Sequence, residues 1–147
     1  MFDHSDRWVH THHMAIKLTE KDLQRHIYTV LINIGYTPME TGKARSMNKC
    51  NSCGKRQYAT GWQGNTVGLP DLYIHSMSWP RGMAIAIELK TEKGEVREKQ
   101  KEYNEKGFTY ICRSIGSVLR VLIEVENRLG NDIEAEKLKK VIELNGF

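Results

Sequence analysis

Long apolar runs are missing from this chain of 147 residues. With no stretch of about 18 apolar residues, no segment is expected to cross a bilayer as a helix. Proline is scarce, at 3 residues, and no biased tract runs through the sequence, which excludes a chain dominated by disordered linkers. The balance of 39% hydrophobic to 27% charged residues is enough to bury a core, and the length suits one domain. Cysteine numbers only 3, an odd count, and the N-terminus carries no apolar secretory core. Together these exclude a disulfide scaffold and predict a reducing, cytoplasmic setting. The opening MFDHSDRWVHTHH holds four of the six histidines and reads as a loose leader over residues 1–17, with Met14 as an alternative start. A single domain is then expected over 18–147.

Acidic residues are absent between Thr41 and Pro70, where Lys43, Arg45, Lys49, Lys55 and Arg56 supply five positive charges. Such a segment suits a polyanion such as nucleic acid, or equally serves as a solvated loop. Its Cys50-Asn51-Ser52-Cys53 is half of a zinc site. Cys112 together with His12, His13 or His75, or else a pair from a second subunit, would complete it; otherwise these are two cysteines in a polar loop. A zinc ion here is expected to shape the loop and not to catalyse. Nearby, Tyr58 and Trp62 either stack on bases or pack a hairpin.

Periodicity predicts a helix from Thr19, its N-cap, through Leu23, Ile27, Leu31 and Ile34 to Gly35. A strand over Tyr36–Glu40 leads into the basic insertion, residues 41–66, a loop or ragged hairpin with a strand near Arg56–Trp62. Strands follow over Asp71–Met77 and Met83–Lys90, joined by the hairpin turn Ser78–Gly82. A helix over Val96–Lys106, a strand over Phe108–Arg113 and two C-terminal helices within 114–147, capped by Ser114 and Asp132, complete the chain. Ile133, Leu138, Val141 and Ile142 of those last helices either cover the core or form a subunit interface.

Alternation along Ala84–Lys90 puts Ile85, Ile87 and Leu89 on one face and Ala84, Ala86, Glu88 and Lys90 on the other. On the preceding strand Asp71, Tyr73 and His75 share a face, so a hairpin sets Asp71 beside Glu88. Two neighbouring carboxylates repel and are costly to desolvate unless a cation lies between them. Oxygen ligands of this kind suit Mg²⁺ or Mn²⁺ better than zinc. Lys90 is placed to meet a phosphate or an attacking water. Glu20 borders the apolar stripe of the first helix, either as a further ligand or as an acid favouring the helix dipole. Gln100, on the inward side of a highly charged helix, orients a water or a phosphate oxygen, or bonds to backbone.

Gly68-Leu69-Pro70-Asp71, Ile87-Glu88-Leu89-Lys90, Gly94, Gln100 and GFTYICRSIGSVL resemble the PD-(D/E)XK nuclease superfamily, and within it the VRR-NUC branch, over about Thr19–Val125. The branch includes small stand-alone domains of phages and bacteria. The resemblance implies an α/β fold with a restriction-endonuclease-like core, a mixed sheet flanked by helices in α-β-β-β-α-β order. It implies Mg²⁺ held by Asp71, Glu88 and the Leu89 carbonyl, with Glu20 assisting, Lys90 acting at the scissile phosphate and Gln100 matching the family's glutamine. The implied activity is phosphodiester hydrolysis by a homodimeric, Holliday-junction-resolvase-like endonuclease on branched DNA, needing no small-molecule cofactor. A non-catalytic nucleic-acid-binding module built on the basic C-x-x-C loop is the alternative.

Overall fold

The computed structural model describes residues 18–41, 47–58 and 68–147. Residues 1–17, expected as a leader, and Lys43, Arg45 and Trp62 lie outside them. Helix α1 (Glu20–Asn33) is followed by strands β1 (Thr37–Glu40), β2 (Met47–Lys49), β3 (Arg56–Tyr58), β4 (Leu72–His75) and β5 (Ile85–Leu89). Helix α2 (Glu98–Glu105), strand β6 (Tyr110–Cys112) and helices α3 (Ile115–Arg128) and α4 (Asp132–Asn145) complete the order. Among the described residues this is an α/β arrangement of four helices and a four-stranded mixed sheet, with β2 and β3 paired apart from it.

The main sheet runs β1-β4-β5-β6, antiparallel except for the parallel pair β5-β6, which α2 connects. Parallel neighbours need a crossover, and α2 supplies it. Leu72 pairs with Ile87 and Ile74 with Ile85 across the β4-β5 hairpin, so their side chains fall on one face. That face meets Leu23, Ile27 and Leu31 of α1 and Val118, Leu119 and Leu122 of α3 in a continuous core. Each fully buried aliphatic side chain here contributes about 1.5–3 kcal/mol by leaving water.

Thr19 caps α1 as expected, and Asp22 completes a capping box, bonding back to the Thr19 N–H and hydroxyl. Ser114 likewise caps α3. The start of α4 differs from expectation: Asn131, not Asp132, is its N-cap. Asn131 is held there because its N–H bonds the Glu126 carbonyl at 2.8 Å and its side-chain amide donates to the Glu126 carboxylate at 2.7 Å. Within α4, Leu138 is buried and Val141 and Ile142 pack on the core, whereas Ile133 points outward, 75% exposed. No helix among the described residues is long and apolar enough to cross a membrane.

A second polar centre lies inside the core. Glu126 of α3 is 1% exposed, and its Oε1 accepts hydrogen bonds from the Tyr36 hydroxyl at 2.7 Å and the Trp79 indole N–H at 2.9 Å. Trp79 belongs to the β4-β5 turn but folds back against Tyr36, the ring centroids 5.9 Å apart. Burial, followed by the bond to Glu126, holds the Tyr36 hydroxyl far above its ordinary pKa, so it is a permanent donor.

Candidate active site

Pro70-Asp71 enters β4 under tight constraint. Gly68 has φ +85°, and an added Cβ would lie 3.1 Å from Lys99 Cβ and 3.2 Å from Tyr103 Cε2 of α2. Only a glycine accepts both that backbone and that approach. Thr41, just beyond β1, donates its N–H to the Asp71 carbonyl at 3.1 Å and its hydroxyl to the Pro70 carbonyl. The register that pairs Leu72 with Ile87 brings Asp71 level with Glu88. There the Asp71 side chain takes over from the ladder: Oδ2 accepts the Leu89 N–H at 2.7 Å. The N–H and C=O of one strand residue face the same edge, so the Leu89 carbonyl is also turned toward Asp71.

All five residues of β5 are buried, not only its aliphatic face. Glu88 is 2% exposed and Lys90 7%. Alternation sorts the faces correctly, but the charged face is enclosed and not solvated. Glu88 Oε1 accepts from Lys90 Nζ at 2.8 Å and from the Gln100 amide. Lys90 Nζ also lies 3.5 Å from Glu20 Oε1, at the first turn of α1, whose side chain stays half exposed. Gln100 bonds to backbone and also reaches a carboxylate: its Oε1 accepts the Arg97 N–H at 2.9 Å, fixing the start of α2, while its amide donates to Glu88. Glu20, Asp71, Glu88, Lys90 and Gln100 thus meet at one end of the sheet.

The electrostatics of the cluster are unbalanced. Burial pushes the Asp71 carboxyl up, partly offset by the Leu89 N–H, and Glu20 adds to the rise. Burial pushes Glu88 up as well; the bond from Lys90 offsets this in part, and the Asp71 charge adds to the rise. For Lys90, burial acts downward, but the bond and charge of Glu88, with Glu20 and Asp71, prevail and hold it above its usual value. Three carboxylates therefore share one ammonium.

A carboxyl whose folded pKa exceeds its unfolded pKa binds a proton in the folded state first, so its ionisation costs stability as pH rises through that window. The contribution of Asp71 and Glu88 is thus expected to favour folding below the ordinary carboxylate pKa and to fade as pH climbs through their raised values. Millimolar Mg²⁺ should recover that loss, more at pH 8 than at pH 5. Thermal midpoints of wild type and Asp71→Asn/Glu88→Gln, with and without Mg²⁺ at both pH values, check this. A Mg²⁺ increment that is equal in the two proteins would rule out these carboxylates as its source.

Other anticipated residues lie elsewhere. Lys49 and Arg56 pair in register on β2 and β3, and Lys55 is exposed in the turn between them. Cys112 is buried in the core, its thiol pushed up by burial to about 11, and His75 Nδ1 is bonded to the Met83 carbonyl at 2.8 Å. Among the described residues no third His, Cys, Asp or Glu joins Cys50 and Cys53, and no three such side chains already form a metal cluster. His12 and His13 lie outside the described residues.

Two features escape sequence reading. Arg113, after β6, donates through one guanidinium nitrogen to the carbonyls of Thr91 at 2.6 Å, Glu92 at 3.1 Å and Gly94 at 2.9 Å. It thereby clasps the loop that follows Lys90. Beside Glu20, a groove of about 550 Å³ is lined by Lys21, Gln24, Arg25, Tyr28 and Glu40. The i, i+4 spacing of Lys21 and Arg25 is visible in the sequence; the concavity against β1 is not. No family model, curated protein or solved structure matches this chain.

Proposed function

We propose that the chain is a Mg²⁺- or Mn²⁺-dependent DNA endonuclease of the PD-(D/E)XK type, close to the VRR-NUC branch. The observation that carries this reading is Asp71 and Glu88 side by side on paired strands, with Lys90 Nζ 2.8 Å from Glu88 in the same enclosed cluster. The element order supports it. Without the β2-β3 insertion the chain reads α-β-β-β-α-β around a mixed sheet, the order that the resemblance implies. The groove lined by Lys21 and Arg25 offers two positive charges to phosphates, against the one acid, Glu40, in its lining.

The donor set fits a hard divalent cation: two carboxylates and a backbone carbonyl, all oxygen, in a cluster short of positive charge. When bound, such an ion acts as a Lewis acid on the phosphate and lowers the pKa of a water. The protein's own groups do the rest. Asp71, tied to the Leu89 N–H, and Glu88, tied to Gln100, are fixed before substrate arrives, so little reorganisation is left for the reaction. Lys90 directs an ammonium at the phosphoryl group, where it offsets charge gathering on the non-bridging oxygens as water adds to phosphorus and the bridging P–O bond breaks. The attacking water gives up a proton to solvent as it adds, and solvent water returns one to the leaving oxygen as that bond opens.

Branched DNA is the favoured substrate and a homodimer the favoured assembly, since paired cuts across a four-way junction need two sites related by symmetry. Incubated with Mg²⁺, the protein is expected to cut a four-way junction in preference to linear duplex or flap DNA. Chelation or Glu88→Ala should stop it. Binding without cleavage of any substrate in Mg²⁺ or Mn²⁺ would replace the nuclease by a nucleic-acid-binding module.

A further inference from the structure

We propose that Arg113 is a positioning residue of the cluster: its guanidinium fixes the segment between Lys90 and Gln100, so that both meet Glu88. The inference deepens the nuclease reading and rests on it for the catalytic effect alone, since the positioning is read without cleavage. Lys90 and Gln100 converge on one oxygen. Lys90 Nζ lies 2.8 Å from Glu88 Oε1, and the Gln100 amide donates to the same atom. Between them the chain runs through residues 91–97 into α2, so their meeting depends on how that segment is held.

The core does not hold it. No residue of 91–97 is buried, and α2 buries none either. A segment without buried apolar anchors belongs to the low end of local stability and takes its place from polar ties. Its far end has one in Asn104, whose amide donates to the Thr109 carbonyl at 2.9 Å. At its near end the tie is Arg113, one nitrogen of which meets the carbonyls of Thr91, Glu92 and Gly94. Among the described residues, these are the hydrogen bonds that join residues 91–94 to the rest of the chain. The remaining bond of the turn, from the Gly94 N–H to the Thr91 carbonyl at 3.0 Å, is internal.

The turn is compact: an added Cβ on Gly94 would lie 3.1 Å from Thr91 Oγ1 and 3.2 Å from the Thr91 nitrogen. Three carbonyl dipoles aimed at one point call for a cation there, and charged donors make the stronger hydrogen bonds. Arg113 has a rigid base from which to act. Its N–H donates to the Ser117 hydroxyl at 3.1 Å, at the capped start of α3, whose Val118, Leu119 and Leu122 lie in the core. The preceding residue holds Lys90 directly, the Cys112 carbonyl accepting the Lys90 N–H at 3.0 Å. Residues 112 and 113 thus fix Lys90 and the turn after it as a unit. Among the described residues Arg113 pairs with no carboxylate of the cluster, so it acts through Lys90 and Gln100.

In full-length Arg113→Ala, the Gln100 side-chain amide resonances, identified by their loss in Gln100→Glu, should move to the position of a solvated amide. Exchange at the Gly94 and Lys101 amides, which close the turn and the first turn of α2, should quicken about tenfold, the equivalent of one charged hydrogen bond. Arg113 is exposed, so the melting transition should hardly move. With Mg²⁺ and junction DNA, kcat should fall about 10²-fold at unchanged KM, the scale of a misplaced catalytic group. Arg113→Lys should restore most of each property, because one nitrogen serves all three carbonyls and an ammonium carries three N–H donors. Unmoved Gln100 resonances with unchanged exchange in Arg113→Ala, a rise in KM at constant kcat, or a lysine variant as impaired as alanine would overturn the proposal. A wild type that cuts no DNA would end the nuclease reading, and the Gln100 resonances would still decide whether Arg113 positions that residue.

Discussion

Asp71→Asn is expected to lower the cleavage rate by about 10²–10³-fold, the scale seen when one preorganised stabilising group is removed from an active site. Fold and DNA binding should persist. The substitution keeps an oxygen for the Leu89 N–H, so the bond that ends the β4-β5 ladder survives. It also removes one of three carboxylates from a cluster with a single ammonium, relieving repulsion between Asp71 and Glu20 and between Asp71 and Glu88. Without divalent metal, the thermal midpoint should therefore stay level or rise while cleavage collapses. That opposition is the signature of a group whose charge serves chemistry at the expense of stability. Should Asp71→Asn cut junction DNA at the wild-type rate, Asp71 leaves the proposed site.

Glu126→Ala should have the opposite profile. Truncation leaves the Tyr36 hydroxyl and the Trp79 indole N–H buried without an acceptor, at about 1–3 kcal/mol each, and adds a cavity. A loss of about 2–5 kcal/mol corresponds to a fall in Tm of roughly 5–15 °C for a chain of this size. Glu126→Gln should be far milder, near 1 kcal/mol. Both buried donors converge on Oε1, which an amide retains, and only the partly buried Asn131 contact at Oε2 becomes donor against donor. Cleavage by either variant, measured below its melting transition, should match wild type. Equal losses for alanine and glutamine would mean that the charge of Glu126, not its acceptor oxygens, holds the core.

The difference between these residues explains what the sequence could show. Asp71, Glu88 and Lys90 sit within a hairpin, so period-two alternation and a short turn bring them together from local information. Thr19 and Ser114 stand directly before their helices and are legible as caps for the same reason. Glu126 meets Tyr36 and Trp79 across 90 and 47 residues, with no periodicity linking them, and reads in isolation as an ordinary surface acid. Trp79 is hidden for a second reason: it occupies a turn, where side chains are expected to face water, yet folds inward. Arg113 is likewise silent because its partners are carbonyls, which every residue has. The enclosure of Glu88 and Lys90 was beyond alternation, which assigns faces but does not say what covers them.

Gln100 shows how two local demands can leave one amino acid at a position. The first turn of α2 accepts glutamate or glutamine at this place equally well, since either offers an oxygen to the Arg97 N–H. Glutamate would set a further negative charge against Glu88, and asparagine is one methylene too short to span the same gap. A lysine or arginine would satisfy Glu88 but abandon the helix start. Drift at residue 100 is therefore confined by geometry and charge acting together, and the neighbouring surface positions of α2, which answer to neither, are free to vary.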